Sequence, residues 1–290
     1  MVETNTIPIL LNGREVATEV LKNVANEINT IKSNNKRVPG LAVLLVGDNP
    51  ASKTYVNNKE KACNNIGIYS EVHKFQDNIN QENLKERLEQ LNNDNKIDGI
   101  LLQLPLPSHL NSQKLINAIN PKKDVDGLNP VNLGKLMSGQ QCLKPCTPLG
   151  IIEILKHYSI NITGAQVVVI GRSPLVGKPV SLLLLEKNAS VTVVHSKSKN
   201  IEQITKTADI LVCAIGKPKL VKKDWVKPGV IIIDVGINKI TEQGKDKLVG
   251  DVDFEDVKAI CKAITPVPGG VGPVTIAMLL SNTLEAYKNR

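Results

Sequence analysis

Tyr55 and Lys59 stand four residues apart in the segment SKTYVNNKEKA, a spacing that sets both on one face of a helix. A tyrosine ring there offers a stacking surface to a flat heterocycle. A lysine partly withdrawn from water loses proton affinity until it can act in proton transfer. The same spacing suits a half-buried tyrosine packed beside a surface lysine, and spacing by itself favours that plainer reading. Downstream, GILLQLPLPSHL puts Gln103 at the end of an apolar run, before a Pro-x-Pro pair that cannot continue a strand ladder. Ligands gather at strand carboxyl ends in doubly wound sheets, so Gln103 either hydrogen-bonds Lys59 or a ligand, or is an edge amide facing solvent.

Two further loops carry chemistry. In NPKKDVDGLNPVN, Asp124 and Asp126 occupy a turn-rich stretch. A carboxylate there can pair with the amidine-like edge of a pterin through two parallel hydrogen bonds, although Asp-Gly is also a common turn dipeptide. The loop TPVPGGVGP, with Pro268, Gly269 and Gly270 at its centre, is rigid and lets backbone approach a ligand closely. A purely structural hinge is the alternative.

The segment VVVIGRSPLVGKP reads as a buried strand, a glycine turn and a helix start, the arrangement that aims free backbone N–H groups at an anion. Gly171 permits the sharp exit, Arg172 and Ser173 follow at the strand end, and Gly177 opens the helix. A plain strand-to-helix turn has the same glycines. About 20 residues on, where an NAD site carries an acidic residue for the ribose hydroxyl, the chain reads VTVVHSKSK. Arg172 together with His195, Ser196 and Lys197 supplies cations and a hydroxyl instead, which favours NADP over NAD; an ordinary solvated basic strand end would look similar.

These residues must be positioned by alternating elements. Strands are expected at Gly40 to Val46, Tyr69 to Phe75 and Gly99 to Leu104, with helices from Ala51 to Ile66 and Gln81 to Asn92. A second series has strands at Gln166 to Ile170, Ser190 to Val194, Ile210 to Ala214 and Val230 to Val235, with helices from Val180 to Lys187 and Ile201 to Thr207. The expected fold is α/β: two doubly wound α/β domains flanking a cleft, the second a Rossmann-type NADP-binding domain. Thr147 and Pro148 have the chemistry of an N-cap and a first-turn proline, predicting a connecting helix from Pro148 to Tyr158. A last helix from Pro273 to Lys288 returns to the first domain. The expected boundaries are 1–146 plus 273–290 for a catalytic domain and 147–272 for the dinucleotide domain.

Composition removes other classes. The chain has 290 residues, 41% hydrophobic and 22% charged, enough to build a packed core. No apolar run reaches the ~18 residues of a membrane span, and the N-terminus lacks a basic region before its apolar patch, so a cytoplasmic location and no membrane partner are expected. The net charge of +8 is spread along the chain, and with 2% aromatic residues the stacking platforms of nucleic-acid binders are scarce, so no nucleic acid is expected. Five scattered cysteines without a Cys-x-x-Cys pair favour neither a disulfide framework nor a metal site.

In order along nearly the whole chain, TYVNNK, LLQLPLP, PKKDVDGL, PCTP, VVIGRSPLVGKP, HSKS, VIIIDVGIN, VGDVDF and TPVPGGVGP resemble the bifunctional methylenetetrahydrofolate dehydrogenase/cyclohydrolase family. The resemblance implies oxidation of 5,10-methylenetetrahydrofolate to the 5,10-methenyl cation with hydride passing to NADP, then hydrolysis to 10-formyltetrahydrofolate. It implies a homodimer built through the second domain. It makes Lys59 the catalytic lysine, Gln103 its partner, Asp126 the folate-binding aspartate and Tyr55 the ring stacked on the folate. On the cofactor side it assigns Gly171, Arg172 and Ser173 to the loop over the phosphates, Ser196 to the 2′-phosphate and Ile237 to the nicotinamide end, with Pro268, Gly269 and Gly270 as a substrate loop. Two competing readings remain at this stage: another NADP-dependent two-domain dehydrogenase, for example of amino acids, and a non-catalytic nucleotide sensor.

Overall fold

Seven successive apolar residues, Gly40–Val46, form a strand with every residue buried, as a strand flanked by parallel partners and covered on both faces requires. Its side chains alternate between two cores. Leu41, Val43 and Leu45 pack with Val24, Ile28 and Leu280. Ala42, Leu44 and Val46 pack with Leu84, Leu88 and Ile100.

The structure, a computed structural model, describes residues 7–242 and 244–290. In chain order its elements are β1 (Ile9–Leu10), α1 (Gly13–Ser33), β2 (Gly40–Val46), α2 (Pro50–Ile66), β3 (Tyr69–Phe75), α3 (Gln81–Asn93), β4 (Gly99–Leu102), α4 (Ser112–Ala118), α5 (Pro130–Met137) and α6 (Cys146–His157). They continue as β5 (Gln166–Ile170), α7 (Gly177–Glu186), β6 (Ser190–Val194), α8 (Ile201–Thr205), β7 (Ile210–Cys213), β8 (Ile231–Asp234), β9 (Asn238–Glu242), β10 (Lys245–Val249), α9 (Phe254–Val257), β11 (Ala263–Ile264) and α10 (Val271–Lys288).

The chain divides into two compact units. The first comprises residues 18–146 and 276–290 and holds a three-stranded parallel sheet in the order β3-β2-β4. α2 starts on Asn49, whose side chain accepts from Ser52 N at 3.1 Å with Pro50 in the first turn, and stops at Gly67 with φ 80°. The second unit comprises 147–275 and the described residues up to Ala17. Its sheet runs β1-β11-β8-β7-β5-β6 and is parallel throughout, with β9 and β10 as a separate antiparallel pair. Both units are thus α/β with parallel sheets. Strands β5 and β7 lie side by side although β6 intervenes in sequence, so the connections diverge there and open a crevice at the strand carboxyl ends.

Several features differ from expectation, three of them near the proposed boundaries and site. The first domain was expected to begin at residue 1, yet β1 pairs with β11, Ile9 opposite Ala263, which places this segment in the second unit; a two-residue edge strand has no periodic pattern to announce it. The connecting helix begins at Cys146 rather than after an N-cap at Thr147, whose hydroxyl meets Thr275 Oγ1 at 3.1 Å instead. Strand β4 ends at Leu102, two residues short of the expected Leu104, which leaves Gln103 in the loop that follows.

Candidate active site

Lys59 lies on the face of α2 that also carries the buried Ser52, Val56 and Cys63, and this register explains why its ammonium is half out of water. It donates to Gln103 Oε1 at 2.9 Å. Gln103 is anchored twice: its backbone N–H donates to Leu44 O at 2.9 Å, and its side-chain NH₂ donates to Leu104 O at 2.7 Å. The second bond fixes which end of the amide faces Lys59. Burial pulls the Lys59 pKa below the ordinary lysine value, with Asp126 acting against that shift. Burial raises the Asp126 carboxyl, opposed by Lys59 and by a hydrogen bond from Cys146. The two groups thus oppose one another's shifts, which marks them as electrostatically coupled. Tyr55, one turn before Lys59, is half-buried, and its hydroxyl pKa is raised by burial.

The loop that presents Asp126 is braced from several directions. Asp124 accepts from Leu128 N at 3.2 Å, Asn129 N at 2.8 Å and Asn132 Nδ2 at 2.9 Å. Buried Lys123 donates to Leu91 O at 2.9 Å and Asp94 O at 2.7 Å. Gly127 has φ 72° and lies against the Lys144–Pro145 backbone, where a Cβ would collide. Cys146 Sγ lies 3.1 Å from Val125 O, and Asn282 Nδ2 donates to Val125 O at 2.8 Å and Lys144 O at 2.9 Å. Asp126 therefore sits in a turn whose neighbours on both sides are pinned.

In the second unit, Gly171 leaves β5 at φ 126° with its Cα against Ala214 O, and Gly177 opens α7 against the Gly171 carbonyl; side chains at either position would collide. Ser173 closes the turn, its hydroxyl accepting from Val176 N at 3.1 Å and Gly177 N at 3.3 Å. Arg172, Ser196 and Lys197 are exposed. The turn after β6 is closed by Ser198, which accepts from His195 N at 3.0 Å, so the Ser196 hydroxyl is not used in holding it. Ile237 is 48% exposed beyond β8. Pro268 is exposed, Gly269 has φ 108°, and Gly270 is buried against Thr265 and Pro266. The N-terminal residue of α1, Gly13, lies against the Gly270 carbonyl so closely that no Cβ fits.

Residues 11–126 match the family model described as tetrahydrofolate dehydrogenase/cyclohydrolase, catalytic domain, and residues 145–290 match that family's NAD(P)-binding domain. The chain belongs to the tetrahydrofolate dehydrogenase/cyclohydrolase family. Among its relatives is the bifunctional protein FolD of Acetivibrio thermocellus, 51% identical over 279 residues covering 96% of each chain. The solved FolD methylenetetrahydrofolate dehydrogenase/cyclohydrolase of Campylobacter jejuni superposes with a TM-score of 0.93 at 46% identity, covering 97% of this chain and 99% of that one. The Trypanosoma brucei methylenetetrahydrofolate dehydrogenase-cyclohydrolase, solved with NADP and an inhibitor, gives 0.93 at 38% identity, covering 97% of this chain and 98% of that one.

Within this family member, Lys59, Gln103, Tyr55 and Asp126 belong to the first unit, and Gly171, Arg172, Ser173, Ser196, Ile237, Pro268, Gly269 and Gly270 to the second. The motif reading of the residues did not include Asn282 or the part Cys146 plays beside Asp126. PCTP gave the only local sign of Cys146, and Asn282 lies in a helix with no motif of its own. Among the described residues no group of three or more His, Cys, Asp or Glu is placed to hold a metal ion, and no helix is long and apolar enough to cross a membrane.

Proposed function

We propose that this chain oxidises 5,10-methylenetetrahydrofolate with NADP and hydrolyses the resulting 5,10-methenyltetrahydrofolate to 10-formyltetrahydrofolate. The observation that carries the reading is the half-buried Lys59 ammonium held 2.9 Å from Gln103 Oε1 in the part of the chain that matches the family's catalytic domain. Tyr55 stacks along the pterin and Asp126 pairs with its amidine-like edge. Oxidation needs little proton chemistry; the folate nitrogens expel hydride from the methylene carbon, and the protein's work is orientation. Hydrolysis adds water to the methenyl carbon and breaks its bond to N5; one water proton ends on N5 and the other is released. Lys59, with its proton affinity lowered by burial, accepts that proton, and Gln103 holds the amine in place.

The residues fit a dinucleotide carrying a 2′-phosphate. Gly171 and Gly177 form a cradle that a Cβ would fill, Arg172, Ser196 and Lys197 are exposed beside it, and no carboxylate lies between Val194 and Asn200. Bound there, NADP supplies the hydride acceptor. Arg172 and Ser196 would hold its phosphate, and Ile237 would lie at the nicotinamide end.

Two copies pair through the second unit. Its outermost strand, β6, has an unpaired edge, and Val193 and Leu185 are 39% and 51% exposed, the open edge and apolar surface that a partner covers. The buried thiols of Cys63, Cys146, Cys213 and Cys261 suit the reducing cytoplasm. An absorbance assay with methylenetetrahydrofolate, run in parallel with NADP and NAD, tests the function. Reduction with NADP well above NAD is expected; silence with both from folded protein would overturn it.

A further inference from the structure

The buried carboxylate of Asp251 gathers hydrogen-bond donors from the segments that follow two strands. Its Oδ2 accepts from Ile215 N at 2.6 Å and Gly216 N at 3.0 Å, and its Oδ1 accepts from Lys217 N and from Asn238 Nδ2, both at 2.9 Å. The first three donors lie beyond the carboxyl end of β7 and the fourth beyond that of β8. Asp251 is 0% exposed, and Gly236 lies so close to its carboxylate that a Cβ would collide. A second carboxylate locks Asp251 itself: Asp234 Oδ1 accepts from Asp251 N and Gly236 N, and Asp234 Oδ2 from Val252 N, each at 2.9 Å. Ile237 therefore projects from a turn held on one side by Gly236 against Asp251 and on the other by the Asn238 amide.

A fold needs no such arrangement to close a parallel sheet, since β7 and β8 already pair over four residues. Burying a carboxylate is costly unless donors surround it, and here three donors belong to the loop after β7 and the fourth, Asn238, opens β9 just beyond β8. The post-β7 loop also begins at Ala214, whose carbonyl packs against Gly171 of the phosphate turn. We propose that Asp251 is a positioning residue for the dehydrogenase step: it sets the spacing between the 215–217 and 236–238 loops, and thereby the surface that carries Ile237 against the nicotinamide. This rests on the reading of the second unit as the NADP site. Asp251 does not touch the hydride; it acts through the loops.

The test uses the full chain with Asp251→Asn and Asn238→Ala. Asparagine keeps the shape but offers one acceptor oxygen, so its NH₂ faces two N–H donors and pushes one loop away. Asp251→Asn is expected to lower kcat/KM for NADP reduction by about tenfold or more, given how steeply rate follows misplacement. NADP affinity by calorimetry falls in the same direction, while hydrolysis of methenyltetrahydrofolate, assayed without cofactor, stays within about twofold. Asn238→Ala removes one donor and shows a smaller effect of the same kind. A folded Asp251→Asn with wild-type NADP kinetics and affinity would overturn the proposal, as would equal loss of both activities, which marks a merely structural role. If Asp251→Asn does not fold, Asn238→Ala decides: unchanged NADP kinetics overturn the proposal, and a selective dehydrogenase loss supports it. A wild-type chain that neither binds nor reduces NADP would instead remove the functional reading, and the proposal with it.

Discussion

Lys59 and Gln103 are 44 residues apart in sequence and 2.9 Å apart in space. The contact follows from sheet order: β2 pairs with β4, so the helix that follows β2 and the loop that follows β4 emerge side by side at the carboxyl edge. Gln103 has no freedom to turn its amide, because its NH₂ is committed to Leu104 O, and the oxygen is what Lys59 meets.

The first expectation concerns the lysine. Lys59→Met keeps the aliphatic stem and removes the amine, so packing in α2 survives. Hydrolysis of methenyltetrahydrofolate should fall by about 10²–10⁴-fold, the usual worth of a positioned proton-transfer group, with NADP affinity unchanged. Stopped-flow hydrolysis and calorimetry on the same preparation check it. Equal loss of both would reject the role.

The glutamine makes a pH prediction. Burial lowers the Lys59 pKa below 10.5, and a lysine acting as base works in its neutral form, so hydrolysis rises as pH climbs through that lowered value. Gln103→Glu puts a carboxylate at hydrogen-bond distance from Nζ. That favours the ammonium, raises the Lys59 pKa and moves the rising limb of the profile to higher pH. At neutral pH the variant is slower because less neutral amine is present. A midpoint that stays put or moves down would contradict the assignment.

How much of this could be read from residues alone differs by element. Strands β2 and β3 match their expected spans, Gly40–Val46 and Tyr69–Phe75, because each is bounded by turn residues and, in β2, is continuously apolar. Helix α1 was not anticipated, although Val16, Val20, Val24 and Ile28 recur at helical spacing; there the signal was present and unused. The β9–β10 pair was silent for a different reason, since Lys245–Val249 is mostly charged and exposed and is held by cross-strand pairing rather than burial. Of the candidate site, the segments carrying Lys59, Gln103 and Asp126 stood out as local motifs. Asn282 was not, because it reaches Val125 O across 157 residues of sequence, and no local pattern encodes a partner that the final helix delivers.

On the proposed reading, cofactor choice turns on Arg172. Its side chain is exposed at the glycine turn, so removing it leaves the fold intact. Arg172→Ala should raise the KM for NADP by about tenfold, in keeping with ~1.5–3 kcal/mol for a hydrogen bond to a charged group, and leave the KM for NAD within about twofold. The ratio of the two is the measurement. An unchanged ratio would place the 2′-phosphate elsewhere.

The last expectation concerns stability. Asp98 has a side chain that is 0% exposed and is shared by two arginines: Arg37 bonds it at 2.6 and 2.8 Å, and Arg290 Nε lies 3.1 Å away. Gly40 N adds a fourth donor at 2.9 Å. Asp98 in turn holds the Arg37 pKa above its usual value through their hydrogen bonds. Arg37 is 38% exposed and Arg290 32% exposed at the side chain, so each can return to water when freed, whereas Asp98 cannot. Arg37→Met alone should cost about 1–3 kcal/mol, because Arg290 and Gly40 still compensate the carboxylate. Arg290→Met should cost a comparable amount, because its guanidinium, besides meeting Asp98, donates to Asn95 O at 2.5 Å, Asp94 O at 3.2 Å and Ile97 O at 2.7 Å. The double variant should lose more than the two single losses together, since only then is the buried charge left with a lone backbone donor. Urea midpoints of the four proteins measure the coupling. Strict additivity would mean that the two arginines act independently and that Asp98 reaches water by another route.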